Sequence, residues 1–191
     1  MRAFLAVGLP GEAREALAVL QQQLEAARAD VKWVEPANLH LTLKFLAEIT
    51  DAQRVQVEQL VRRIAGRLAT FSMRLGALGA FPSMTAPRVV WVGCEEGREA
   101  LARLAEAIEQ DTAPLGLGSN NRPFAAHLTI GRVRSPRGRQ QLTRAIQSAA
   151  WIPPAAWQAT AITLYQSVLS RSGPAYSVLA EMPLMRRDDD V

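Results

Sequence analysis

The segment that decides the fold of this chain reads PANLHLTLKFL and occupies residues 36–46. Its HLTL core, which begins at His40, returns as HLTI beginning at His127, and these are the two histidines of the 191-residue sequence. In an extended strand, successive side chains point to opposite faces of the sheet. Each copy therefore predicts a strand that buries its aliphatic residues and turns histidine and threonine toward a cleft. If the two strands meet, two imidazoles and two hydroxyls converge there.

Patterns typical of strands and of helices alternate along the rest of the chain. We expect helices over residues 12–29, 51–68, 95–111 and 135–150, and strands over residues 2–9, 31–34, 71–82, 87–94, 157–169 and 175–182. The length suits a single globular unit. We therefore expect one domain over residues 1–183 and a charged tail over residues 184–191.

The composition excludes some classes of protein and leaves others open. Cys94 is the single cysteine, so an internal disulfide and a cysteine-based zinc site are excluded and a reducing compartment fits. No apolar run approaches the length that crosses a bilayer, and residues 1–10 predict a strand better than a signal peptide. We expect a soluble, cytoplasmic protein. Its formal charge of +4, mostly from arginine, suits phosphate recognition but equally suits an ordinary solvated surface.

The paired motifs suit acid–base chemistry, because histidine alone titrates near neutral pH. One imidazole can take a proton from water while the other protonates a leaving alkoxide, and Thr42 and Thr129 can donate to phosphoryl oxygens. A phosphodiester can be hydrolysed in this way without metal.

Two other interpretations of the motifs remain open. A metal site competes, but neither strand face carries Asp or Glu, so two histidines would leave a divalent ion under-ligated. A lone histidine in a strand is usually a half-buried structural residue. Two copies that hold every histidine of the chain favour catalysis. We expect no metal and no other cofactor.

The two motifs occur with a set of companions that are typical of a known family. These are RAFLAV at residues 2–7, KWVEPAN at 32–38, PRVVW at 87–91, and GR after the second motif at 131–132. Together with them, the chain resembles the 2H phosphoesterase superfamily. More narrowly, it is similar over residues 2–182 to the bacterial and archaeal RNA 2′,3′-cyclic phosphodiesterases, also called 2′-5′ RNA ligases.

The resemblance implies a fold and a role for each motif residue. The fold is α+β and bilobed, with pseudo-twofold duplicated antiparallel sheets, outer helices and a central cleft carrying two His-x-Thr-x strands. In the family the first-motif histidine is the proton donor and the second the proton acceptor, which carries over to His40 and His127. Thr42 and Thr129 would bind phosphate. The second motif is commonly preceded by proline, and Ala126 stands there in this chain, which predicts a change in local stiffness only.

The resemblance also implies a substrate. We expect RNA or oligonucleotides with 2′,3′-cyclic phosphate ends, hydrolysed to 2′-phosphates, with reversible ATP-independent 2′-5′ ligation as a further reaction. We expect no membrane association and no obligatory protein partner. Two alternatives remain: a non-catalytic RNA-binding module that contacts phosphate through the His-x-Thr strands, and a protein that acts mainly as the ligase.

Two basic residues after the motifs are further candidates for substrate binding. Under strict alternation, Lys44 shares the face of His40 and is predicted to reach a nucleotide phosphate. Arg132 fits the family pattern, but strict alternation from His127 puts it on the opposite face. Its role as a phosphate ligand therefore stays open.

Overall fold

The computed structural model describes residues 1–117, 123–170 and 173–186. The helices are α1 (Gly11–Glu25), α2 (Asp51–Ala65), α3 (Arg98–Thr112) and α4 (Arg139–Ser148). The strands are β1 (Arg2–Val7), β2 (Val31–Trp33), β3 (Leu41–Glu48), β4 (Phe71–Phe81), β5 (Val89–Glu96), β6 (His127–Val133), β7 (Trp157–Ala159), β8 (Ala161–Ser170) and β9 (Gly173–Pro183). Each predicted element is present with shifted ends, and the strand predicted over residues 157–169 is divided in two.

The described strands form two antiparallel sheets. The first sheet has the order β3-β1-β8-β9, and the second has the order β2-β6-β5-β4-β7. Strand β4 from the first half of the chain lies beside β5, while β8 from the second half lies beside β1. Each sheet therefore needs both halves of the chain. The predicted bilobed α+β fold with duplicated antiparallel sheets is confirmed.

Two of the helices also cross between the sheets. Helix α1 follows β1 of the first sheet, yet its Gln21 side chain donates to carbonyl oxygens of Val34 and Ile130 in the second sheet region. Helix α3 follows β5 of the second sheet, yet its Glu109 binds Lys44 of β3 in the first. The two lobes are thus tied together by helices as well as by strands. No helix in the described part of the chain is long and apolar enough to cross a membrane.

Helix α2 begins and packs as its sequence predicts. The Thr50 hydroxyl accepts a hydrogen bond from the Gln53 backbone N–H, and the Gln53 side chain accepts one from the Thr50 N–H, which forms a capping box. Val57, Val61 and Ile64 are buried at helical spacing. This stripe directs the helix onto the core, beside α3.

Each motif strand contains one extra residue immediately after its threonine. In β3, Thr42 pairs with Ala6 and Lys44 pairs with Leu5, so Leu43 has no partner in β1. In β6, Thr129 pairs with Trp91 and residue 131 pairs with residue 90, so Ile130 has no partner in β5. Such a β-bulge exchanges the two faces for the residues that follow it, in β3 as far as a second register shift at Leu46. The same burial pattern follows in both strands: two consecutive buried residues, then an exposed one.

The bulge in β3 overturns the expected position of Lys44. Beyond Leu43 the alternation is reversed, so Lys44 points into the core side and is 1% exposed. Its Nζ lies 2.7 Å from Oε2 of Glu109 in α3. The ammonium therefore forms a buried ion pair. We predicted that it would face the cleft, and it does not. Phe45, which is 60% exposed, follows it on the opposite face.

The bulge in β6 likewise overturns the expected position of Arg132. Gly131 takes the buried position that corresponds to Lys44, and a Cβ atom there would lie 2.7 Å from the Trp33 ring. Arg132 then pairs with Val89, two residues before Trp91, and is exposed. It therefore shares the face of Thr129 and His127, from which strict alternation excluded it.

The expected end of the domain at residue 183 is too early. Leu184 N–H donates to Thr160 O at 2.8 Å, and Met185 N–H donates to Leu68 O at 2.9 Å. The Met185 carbonyl accepts from the Thr70 N–H at 2.8 Å. These two residues belong to the packed body. Residues 187–191 of the predicted tail lie outside the described residues.

We predict that Glu109→Gln destabilises the protein more than Lys44→Met does. Glu109→Gln leaves a buried ammonium beside a neutral amide, which costs about 2–3 kcal/mol after allowance for partial solvent access at the carboxylate. Lys44→Met removes the buried charge and keeps an unbranched side chain of similar length, while the Glu109 carboxylate, 28% exposed, can be solvated. Denaturant unfolding gives both free energies. Equal losses, or a larger loss for Lys44→Met, would contradict the assignment of this pair.

Candidate active site

His40 lies just before β3, at the end of a short 3₁₀ helix that other parts of the chain hold in place. The 3₁₀ helix spans Pro36–Asn38. The Arg14 guanidinium from α1 donates to the carbonyls of Pro36 at 2.8 Å and Ala37 at 3.0 Å. The Asn38 side-chain amide donates to Pro174 O of β9 at 2.9 Å. The backbone on which His40 depends is therefore fixed from two sides.

Both motif histidines are anchored in the same way. His40 Nδ1 lies 2.6 Å from the carbonyl oxygen of Asn38, and His127 Nδ1 lies 2.7 Å from that of Ala125. A carbonyl oxygen only accepts, so each Nδ1 carries the hydrogen and donates it. The lone pair of each neutral ring then resides on Nε2. This equivalence leaves one Nε2 atom on each motif available for proton transfer.

Aromatic rings of the first sheet enclose the His40 imidazole. Phe4 stacks on it with centroids 4.6 Å apart, and Tyr176 meets it edge-on at 5.3 Å. Tyr165 in turn stacks on Phe4, with ring centroids 5.1 Å apart. These contacts fix the plane of the ring while its Nδ1 is held by the backbone.

The His127 imidazole has a more open aromatic setting in the second sheet. Phe81 meets it edge-on at 5.1 Å, and Trp91 lies 6.3 Å away. Trp91 lies directly over Gly79, where a Cβ atom would be 2.4 Å from the indole ring. A glycine is needed at that position, because any side chain would displace the indole from beside His127.

The enclosure of His40 changes its protonation. Burial lowers the pKa of His40 to about 4; the hydrogen bond to the Asn38 carbonyl acts in the opposite direction, and the Arg14 guanidinium lowers it further. The ring is therefore neutral in the free protein at neutral pH. A negative charge in the cleft would favour the imidazolium form, because it opposes the desolvation that lowers the pKa.

The two motif strands approach one another. Strands β3 and β6 have Cα atoms within 8 Å of each other, although they belong to different sheets. Thr42 and Thr129 are both half-buried. The sequence prediction that the two motifs lie near each other agrees with this placement. Among the described residues, no group of three His, Cys, Asp or Glu side chains is arranged to hold a metal ion.

Arg132 and Arg2 form a basic end of the cleft near Tyr176. Burial raises the pKa of Tyr176, and the nearby charges of Arg132 and Arg2 lower it. Arg132 belongs to the second sheet, whereas Arg2 and Tyr176 belong to the first. Within the described residues, neither arginine lies within ion-pair distance of an acidic side chain. Both charges remain available to an anionic ligand.

Several residues of the site were not identified from the sequence. Phe4 and Tyr176 occupy strands whose alternation is visible, but nothing in the pattern shows that they flank His40. Arg14 resembles any exposed arginine on an amphipathic helix. Its position could be recognised only by knowing that α1 lies beside the 3₁₀ helix.

Comparisons with known proteins agree with this geometry. The family described as LigT like Phosphoesterase matches residues 7–91 and again residues 92–176. An RNA 2′,3′-cyclic phosphodiesterase of Methanothermobacter thermautotrophicus is 33% identical over 93% of this chain and 95% of its own length. One of the same name from Aquifex aeolicus is 34% identical over 80% of this chain and 81% of its own.

Solved structures give the same result. The crystal structure of TT0787 of Thermus thermophilus has a TM-score of 0.80 and 32% identity, covering 96% of this chain and 98% of that one. E. coli LigT complexed with 3′-AMP has a TM-score of 0.77 and 29% identity, covering 96% and 97%. With both halves matched by one family and relatives above 30% identity over most of the sequence, this chain belongs to the LigT-like phosphoesterases of the 2H superfamily.

Proposed function

We propose that this phosphoesterase hydrolyses the 2′,3′-cyclic phosphate ends of RNA to 2′-phosphates by metal-independent general acid–base catalysis. The observation that carries the proposal is the identical anchoring of the two imidazoles. Each Nδ1 donates to the carbonyl two residues earlier, which leaves Nε2 of His40 and of His127 as the proton-transfer atoms. The names of the relatives support the choice of substrate.

The proposed reaction uses the two rings in opposite senses. His127 Nε2 takes a proton from the attacking water, and His40 Nε2 gives a proton to the departing O3′ oxygen. The P–O3′ bond breaks as the bond from water oxygen to phosphorus forms. The phosphate therefore stays on O2′. The Thr42 and Thr129 hydroxyls donate to the two non-bridging oxygens, where negative charge increases in the transition state.

His40 must acquire its proton when substrate binds. The free protein holds the ring neutral, because burial lowers its pKa to about 4. A cyclic phosphodiester carries one negative charge, which favours the imidazolium form of a ring beside it. The Asn38 carbonyl also favours that form through Nδ1. Substrate binding thus charges the acid only when there is a leaving group to protonate.

The basic end of the cleft suits the rest of an RNA strand. Arg132 and Arg2 lie near Tyr176, which itself contacts the His40 ring. A guanidinium binds phosphate through paired N–H donors. We propose that Arg132 contacts the RNA. Lys44 has no part in this, because its ammonium is bound to Glu109 on the core side.

The same arrangement supports ligation. If a ribose 5′-hydroxyl replaces water beside His127, the same displacement forms a bond from the 5′-oxygen to phosphorus as the P–O3′ bond breaks, which gives a 2′-5′ phosphodiester without ATP. By microscopic reversibility the same groups can cleave that linkage back to the cyclic phosphate. We propose this ligation as a secondary activity of the same cleft. It needs no further residue, because both reactions exchange the same two protons.

We predict that His40→Ala and His127→Ala each lower the turnover of a cyclic-phosphate-ended oligonucleotide by about 10²–10⁴-fold. Thr42→Ala and Thr129→Ala should each lower it by about 10–10³-fold, because one hydroxyl donor is lost and both imidazoles stay. The double histidine variant should lose far less than the product of the single losses.

Val19→Ala serves as the control for these variants, because Val19 lies on α1 and is 54% exposed. It should turn over substrate as the unmodified protein does. Near-normal turnover in either histidine variant would overturn the catalytic assignment. Oligonucleotide binding without turnover in the unmodified protein would instead indicate an RNA-binding module.

We predict that substrate binding takes up a proton at His40. In the His127→Ala variant, calorimetric titration with a nucleoside 2′,3′-cyclic phosphate at about pH 6 should show a binding enthalpy that depends on the ionisation enthalpy of the buffer. The ligand does not titrate there, so the proton must bind the protein. Affinity should weaken as the pH rises through the pKa of His40 in the complex, because the protonated form is then lost.

Replacing His40 by glutamine in the His127→Ala background should abolish this proton uptake. A binding enthalpy that is the same in all buffers would show that His40 stays neutral in the complex. It would then be unable to act as the acid.

A further inference from the structure

A buried side chain of α1, the helix that follows β1 of the first sheet, binds at the bulge in β6 of the second sheet. Gln21, in the middle of α1, is 5% exposed. Its Nε2 lies 2.8 Å from the Val34 carbonyl oxygen and 2.9 Å from the Ile130 carbonyl oxygen. Both partners only accept, so the amide NH₂ group faces them and uses both of its hydrogens. The amide therefore joins α1, the end of β2 and the bulge of β6.

The carbonyl that Gln21 binds belongs to the extra residue itself. Ile130 has no partner in β5, since Thr129 pairs with Trp91 and the next pair joins residues 131 and 90. The same carbonyl also accepts from the N–H of Val34, just after β2, at 2.9 Å. Two donors thus converge on one buried oxygen at the point where the ladder to β5 is interrupted. Gln21 therefore adds a second donor to a carbonyl that faces the end of β2, on the residue that has no partner in β5.

The bulge determines which side chains face the cleft. Without the extra residue, strict alternation from Thr129 would turn residue 131 toward the cleft and Arg132 toward the core. With it, Gly131 lies under the Trp33 ring and Arg132 is exposed on the cleft face. Whatever stabilises the bulge therefore also sets the position of the arginine relative to the second motif.

We propose that Gln21 is a positioning residue, whose amide holds the bulge at Ile130 and so keeps Arg132 on the cleft face. It touches no substrate and acts through the backbone of β6. The inference rests on the proposed roles of the second motif and of Arg132 in substrate binding and turnover.

Next to the bulge of the first motif, an ion pair occupies the place that the Gln21 hydrogen bonds have at the second. The bulge at Leu43 is followed by Lys44, whose ammonium binds Glu109 of α3. Helix α3 follows β5 as α1 follows β1, and each crosses to the other sheet. In both lobes, a polar side chain of the crossing helix binds next to the bulge of a motif strand. At the second motif the bond is to the backbone carbonyl of Ile130, and glycine stands at 131, the position that corresponds to Lys44.

Gln21→Met tests the proposal, because it keeps a flexible side chain of similar volume and removes both donors. We expect kcat/KM on a cyclic-phosphate-ended oligonucleotide to fall by about 10–100-fold, the loss typical of a small misplacement of reacting or binding groups. Leu24→Ala is the matched control: Leu24 is buried on the same helix, and its side chain has no polar group that could donate to the bulge. It should lower the melting temperature at least as much while kcat/KM, measured well below melting, stays within about twofold.

A double-mutant cycle with Arg132→Ala gives a readout that a merely structural role would not move. Arg132→Ala should cost less in the Gln21→Met background than in the unmodified protein, since the arginine is already displaced there. In the Leu24→Ala background its cost should be unchanged. The single variants Arg132→Ala and His127→Ala test the proposed function separately from the role of Gln21.

The proposal is overturned if Gln21→Met keeps kcat/KM within about twofold of the unmodified protein, or if its loss equals that of Leu24→Ala. An unchanged cost of Arg132→Ala in the Gln21→Met background overturns it as well. If Gln21→Met does not fold, Gln21→Asn is measured in the same way, because it keeps the amide but withdraws it by one methylene from the two carbonyls. If Arg132→Ala alone has no effect, the proposed role of Arg132 fails. Comparison of the kcat of the Gln21 variant with that of Leu24→Ala then decides whether Gln21 positions His127.

Discussion

The arrangement of the cleft depends on one extra residue in each motif strand. A strand that carries a histidine and a threonine on its cleft face would, by alternation alone, place the fifth residue after the histidine in the core. The bulges at Leu43 and Ile130 reverse this, so that Phe45 and Arg132 reach the cleft side while Lys44 and Gly131 are buried. The two faces of each motif strand are thus set by backbone irregularity as much as by side-chain pattern.

The exchange of elements between the sheets places a polar side chain of a helix next to each bulge. Each bulge brings a polar group, the Lys44 ammonium or the Ile130 carbonyl, to the side of the strand against which a helix packs. Helices α1 and α3 each cross to the opposite sheet and supply Gln21 and Glu109 at those points. The chain therefore cannot complete one motif strand without elements from its other half. The cleft between the motifs is a product of the whole fold.

Much of this organisation was predictable from the sequence, and the errors have a common physical origin. The alternation of strands and helices, the cap at Thr50 and the approach of the two motifs follow from periodicity and a short repeat. The positions of Lys44 and Arg132 were predicted wrongly, because nothing in a segment such as LTLKF marks the residue at which a bulge occurs. The surroundings of His40, which lower its pKa to about 4, are long-range contacts that no local pattern reports.

One measurement tests most directly the claim that the two imidazoles act on opposite sides of a single phosphate. Phosphorus NMR of the product formed from a 2′,3′-cyclic-phosphate-ended oligonucleotide identifies which ribose oxygen keeps the phosphate. With His40 beside O3′ and His127 beside the water, displacement at phosphorus runs in line and a substrate held in one orientation gives one isomer. We predict the 2′-phosphate alone. A 3′-phosphate, or a mixture of the two isomers, would contradict it.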